Sequence, residues 1–198
     1  CAYLQIDQPS CLGTTIWHTT SNAELKSFHQ REERQLLAGC EISWKRVAKS
    51  GDASFIGVGI PMFQGEGAYT ESELKATALA TRGWWHHSIE CTIDKLDWDF
   101  MQPHMRVYAA YVWELCTAPV LPFTYGPVAE QVIKRLQELE KAGASVGLAG
   151  VLARARDFDK AAQRLDRAAA DARAAFEAGK GNEDTARFLN RAMKRVSR

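Results

Sequence analysis

Residues 71–117, ESELKATALATRGWWHHSIECTIDKLDWDFMQPHMRVYAAYVWELCT, carry the strongest helical periodicity of the chain. Leu74, Ala78, Thr81, Trp85, Ile89, Ile93, Leu96 and Phe100 recur at intervals of three or four, the spacing that lines up one face of an α-helix. Thr70-x-x-Glu73 stands in front as a capping box, in which each partner satisfies a backbone N–H of the first turn. A second stripe holds Trp84, Cys91 and Trp98, which predicts a central helix packed on two sides until Pro103 ends it. From Val107 to Cys116 the chain is apolar nearly all round, as expected for a second buried arm folding back. Cys91 and Cys116 are equidistant from the 103–104 junction. Because helical rise is the same on both arms, the two cysteines are expected level with each other and bridged.

Outward from this hairpin, Ser21-x-x-Glu24 opens and Gly39 closes an expected helix over 22–38. Two short apolar runs around Lys49-Ser50-Gly51-Asp52 predict a small β-hairpin at about 41–60, and Gln64-Gly65-Glu66-Gly67 reads as a loop. Pro127 sits where a first-turn proline belongs, opening a helix that ends at Gly143. Ala-rich helices follow over 145–178 and 182–196, separated by Gly179-Lys180-Gly181-Asn182. The expected fold class is mainly α: a bundle around the 71–117 hairpin, one small β-hairpin, and Ala/Arg-rich C-terminal helices.

Composition divides the chain of 198 residues in two. Of 19 aromatic residues only Phe158, Phe176 and Phe188 lie after Gly126, and residues 127–198 carry 15 Lys/Arg against 10 Asp/Glu. An aromatic-rich body over 1–126 and a basic helical part over 127–198 are therefore expected, the second packed on the first. A net charge of +1 argues against a dedicated nucleic-acid binder. Prolines 119, 122 and 127 interrupt the longest uncharged stretch, so no run is long enough to span a bilayer.

Beyond Cys1, an even set remains, Cys11, Cys40, Cys91 and Cys116. It accommodates two disulfides, 91–116 and 11–40, in an oxidising compartment. Cys1-Ala2 resembles the start of a mature bacterial lipoprotein. That resemblance implies a lipid on Cys1 and a periplasmic, outer-membrane-anchored location, with a mitochondrial intermembrane-space accessory subunit as the alternative. No cofactor is expected. The function expected is that of a non-enzymatic structural or docking subunit, partnered by other proteins of a cell-envelope assembly and by the membrane through Cys1.

Chemistry is sparser. A hydrolase would use Cys1, with its own α-amine as base, or the Glu66/His86/His87 region. Asp94, Asp97 and Asp99 read as the solvated end of a helix. His87 and Cys91, four apart on a helix, with His104 beyond the turn, are a weak metal alternative that competes with the 91–116 bridge. There is no nucleophile elbow, phosphate-binding loop or paired CxxC.

Overall fold

The computed structural model describes residues 2–7, 9–48, 54–55, 57–76, 80–143 and 147–197. Cys1, and with it the expected lipidation site, lies outside them, as does the expected hairpin turn at 49–52. The elements run β1 (Tyr3–Gln5), β2 (Ile16–Ser21), α1 (Lys26–Leu36), β3 (Glu41–Arg46), β4 (Met62–Ala68), α2 (Glu71–Ala76), α3 (Trp98–Thr117), α4 (Gly126–Lys141), α5 (Ala149–Glu177) and α6 (Glu183–Val196). They form two compact units. One comprises Cys1–Asn22, His29–Ile56 and Pro61–Cys116; the other comprises Ala23–Phe28, Gly57–Ile60 and Thr117–Arg198.

The first unit is built on a mixed four-stranded sheet in the order β1-β4-β2-β3, which overturns the mainly α expectation. β3 does not fold back on the described residues of the 54–60 run. It lies parallel to β2, from Ile16 opposite Glu41 to Ser21 opposite Arg46. A parallel pair needs a crossover rather than a tight turn, and α1 is that crossover. β4 runs antiparallel to β2 and parallel to β1.

The Gln64–Gly67 loop expectation fails for a packing reason. These residues belong to β4, and its glycines leave room for side chains crossing the strand. A Cβ on Gly65 would stand 2.2 Å from the Trp17 ring, and one on Gly67 would stand 2.6 Å from Thr14 Oγ1.

Odd-numbered residues of β2 face the helices. Trp17, Thr19 and Ser21 are fully buried there. The Trp17 ring lies 4.5 Å from His104 and 5.6 Å from Tyr108 between ring centroids, so the buried side of α3 covers the strand. From α1, His29 and Glu33 reach the same face and satisfy its hydroxyls. Ser21 Oγ is 2.9 Å from His29 Nε2, and Thr19 Oγ1 donates to Glu33 Oε1 at 2.5 Å. Tyr111 of α3 donates to the same carboxylate oxygen at 2.7 Å.

The helical hairpin at 71–117 does not form. Its capping box is real: Thr70 N–H donates to Glu73 Oε2 at 2.7 Å, and Glu73 N–H donates to Thr70 Oγ1 at 3.4 Å. The helix it opens is only α2. Gly83 (φ 83°) and His87 (φ 60°) adopt left-handed backbone that a continuous helix excludes. Trp84, Ile89 and Ile93 of the supposed apolar stripes are exposed. The long helix starts later, where Asp97 Oδ1 accepts the N–H groups of Asp99 and Phe100 at 3.2 and 3.1 Å. Pro103, the expected turn, sits inside α3.

The second unit follows the expected helices closely. Pro127 stands in the first turn of α4. Asp166 of α5 caps that turn, its Oδ1 accepting Tyr125 N–H and its Oδ2 accepting Gly126 N–H, both at 2.8 Å. Asn182 caps α6 by accepting Thr185 N–H at 2.8 Å. The core joins Leu121, Phe123 and Tyr125 to Ala155, Ala162, Ala169, Leu189 and Met193, all buried. The extended segment before α4 is held by polar contacts: Asn190 Oδ1 accepts Leu121 N–H at 2.8 Å, and Arg173 donates to Leu121 O at 2.9 Å.

Candidate functional site

Since the odd-numbered residues of β2 point into the core, the even-numbered ones, Ile16 and His18, face away from it. Register places His18 opposite Ser43 on β3 and opposite Glu66 on β4, with Ile16 opposite Ala68. These side chains form the floor of a cleft of about 480 Å³, bounded further by Lys45, Tyr69, Leu74, Thr81 and Arg82. That volume suits a small ligand, and the lining mixes apolar with polar side chains.

The charges in the cleft are arranged rather than scattered. Arg82 holds Glu66 Oε2 through Nε at 3.1 Å and Nη2 at 2.8 Å, while its Nη1 lies 3.7 Å from Asp7. Burial pushes the Glu66 carboxyl above the usual carboxylate range; Arg82 offsets this only in part. His18 is held below the ordinary histidine value, first by burial and then by the charge of Lys45, and its Nδ1 is 2.8 Å from Ser43 Oγ. Among the described residues no carboxylate pairs with Lys45.

The expected metal trio is not brought together. His104 is buried against Trp17, its Nδ1 at 2.5 Å from Pro9 O. His87 and Cys91 lie in a chain of turns instead of on one helix face. Among the described residues no cluster of three or more His, Cys, Asp or Glu could hold a metal. The rings of His86 and His87 lie against each other in a tilted arrangement, with centroids 3.9 Å apart. Of the aspartate trio, Asp97 caps α3 and Asp94 pairs with Lys95, so neither faces Glu66 across the cleft.

Neither expected disulfide, 91–116 or 11–40, is formed among the described residues. Cys11, Cys40, Cys91 and Cys116 stand as thiols. A 91–116 bridge between level positions needs two antiparallel helical arms, and only Cys116 is helical. Cys91 lies instead beside the buried Cys11, lining one hollow with it.

A second surface feature lies on α3. Its buried side presents His104, Val107, Tyr108 and Tyr111. Another face presents Trp98, Gln102, Met105, Ala109, Val112 and Cys116, all exposed and separated by 4, 3, 4, 3 and 4 positions. Trp98 is 60% exposed, Met105 48%, Val112 49% and the adjacent Trp113 71%, a concentration of large apolar side chains unusual for a single helix. Among the described residues no helix is long and apolar enough to cross a membrane.

Comparison with known proteins adds no name: no family model matches the chain, and no curated protein is significantly similar to it. Of the charged and polar cleft residues, Glu66 is conspicuous in the sequence, whereas His18, Ser43, Lys45 and Arg82 are not. The alternation at 16–21 was the available signal, obscured by hydroxyls on the buried side of the strand.

Proposed function

We propose that the protein is a docking subunit that assembles through the exposed face of α3, its partner being the same face of a second copy. The observation that carries this reading is the 4-3-4-3-4 spacing of Trp98, Gln102, Met105, Ala109, Val112 and Cys116, the repeat of a coiled-coil seam. The pattern is symmetric about position 107. In a two-fold antiparallel pairing Trp98 meets Cys116, Gln102 meets Val112 and Met105 meets Ala109. Two of these pairs set a large side chain against a small one, as packing at a seam requires. Anchorage through lipid at Cys1 and a place in the cell envelope belong to the same proposal, and intact mass of the mature protein tests them separately.

Light scattering on the chromatographed protein measures the assembly. A species of twice 22.1 kDa is expected, and the double substitution Met105→Glu, Val112→Glu, at exposed positions, returns it to the monomer mass. A wild-type protein that stays monomeric at about 100 μM overturns the reading.

A hydrolytic reading has one observation in its favour. Glu66 is a carboxylate whose affinity for protons is raised by burial within a cleft, the condition of a general acid or base. Hydrolysis of aryl ester or anilide substrates that is abolished by Glu66→Gln would support it; turnover unchanged by that substitution removes Glu66 from any such role.

A further inference from the structure

We infer that the cleft over β2, β3 and β4 is a binding site for a small amphipathic monocarboxylate, with Lys45 as the carboxylate-recognising group. This does not depend on the α3 contact surface, which lies on a different element.

The charge sign follows from pairing. Arg82 is shared by two carboxylates, Glu66 and Asp7, so it has no positive charge left to offer a ligand. Lys45 is the cleft cation that no described carboxylate pairs with, and it lines the same space as His18 and Ser43. With Arg82 spent on two carboxylates, Lys45 is the group left to contact one anionic charge. A dianion such as a phosphate monoester would set its second charge against Glu66 without a further cation to meet it.

The polar neighbours of Lys45 on the cleft floor are engaged with one another. Ser43 Oγ stands opposite His18 on the cleft floor, so a hydroxyl and an imidazole lie beside the ammonium. His18 is engaged at both ring nitrogens, Nδ1 lying 2.8 Å from Ser43 Oγ and Nε2 lying 3.3 Å from Thr20 Oγ1, which leaves the ammonium to meet the carboxylate. The remaining lining supplies the apolar half of the ligand. Ile16, Ala68, Leu74 and Tyr69 bound the same space, and about 480 Å³ accommodates an aromatic or branched alkyl group.

The test is an amide-resolved NMR titration of the full chain with 3-phenylpropionate and, separately, with its neutral amide. Shifts are expected at Ser43, Lys45, Ala68 and Tyr69, and the acid should bind at least about tenfold more tightly than the amide. Lys45→Met should abolish that preference while leaving the spectrum otherwise dispersed, and Lys45→Arg should keep most of it. Equal binding of acid and amide overturns the assignment. So does a preference that survives Lys45→Met, a response centred elsewhere on the protein, or no response up to about 10 mM.

Discussion

His29 Nδ1 lies 2.9 Å from Glu33 Oε1 on successive turns of α1, with neither side chain exposed to solvent. The pair is the polar centre of the first unit. Through Ser21, which also accepts the Trp44 indole N–H at 2.8 Å, it ties α1 to β2 and β3, and through Tyr111 it reaches α3. Burial by itself would raise the Glu33 carboxyl. The hydrogen bond and attraction of His29, with the hydroxyls of Thr19 and Tyr111, outweigh it and hold that carboxyl below its ordinary value.

A carboxyl lowered in the folded state stabilises the protein above its unfolded pKa, near 4 for this residue type, and that contribution is lost as pH falls through the folded value. Denaturant melts should therefore show stability declining on acidification below about pH 4. Glu33→Gln should flatten that decline. Glu33→Ala, which strands the buried donors, should cost about 3–5 kcal/mol at neutral pH. A wild-type acid profile identical to that of Glu33→Gln would contradict the assignment.

Gly65→Ala should destabilise the first unit by about 1–3 kcal/mol, because the new methyl group would occupy the position of the Trp17 ring. Gly147→Ala, where a Cβ meets nothing within 4 Å, serves as the control. Comparable midpoints for the two variants in urea would show that Trp17 does not lie over the strand.

Asp166→Ala removes the side chain that receives the Tyr125 and Gly126 N–H groups, and should cost about 1–2 kcal/mol as loss of a helix cap. Hydrogen exchange should localise the effect to the first turn of α4. Protection unchanged there would refute the capping role.

Thiol reactivity separates the cysteines. Cys91 and Cys116 are exposed and should be alkylated first, whereas Cys11 is buried and pushed up to about 11, leaving little thiolate to react. Mass spectrometry of the native protein after brief alkylation should show Cys11 protected until denaturant is added. A Cys91–Cys116 linkage in a non-reducing peptide map would contradict the thiols seen in the structure.

The legible part of this fold is the part whose periodicity is carried by apolar residues. In the second unit, Pro127, Gly143 and the alanines mark helices that form nearly where they are expected, since each helix buries a simple apolar face. The first unit hides its sheet. On β2 the buried positions 19 and 21 are Thr and Ser, satisfied by Glu33 and His29 from a helix 14 and 8 residues away, so hydrophobic alternation is missing. On β4 the strand signal is diluted by glycines that Trp17 and Thr14 require, a constraint carried by distant residues. The misread hairpin has the converse cause. Trp85, Ile89 and Ile93 mimic a helical stripe by spacing, yet left-handed backbone at Gly83, just ahead of them, and at His87, among them, breaks the helix. Glu66 could be singled out as a candidate because a carboxylate between glycines is conspicuous, but Lys45, His18 and Arg82 become its neighbours only through strand register and a turn.

The most direct measurement of the proposed assembly is oxidative cross-linking of a Trp98→Cys variant. Positions 98 and 116 of one helix are about 27 Å apart, so they cannot be linked within a chain, whereas the antiparallel seam sets each against the other in the second copy. Mild oxidation should give a covalent dimer whose peptide map joins position 98 of one chain to Cys116 of the other, with Gln102→Cys giving far less of that link. A dimer joined only through two Cys116 residues, or no covalent dimer at all, would contradict the antiparallel pairing of α3.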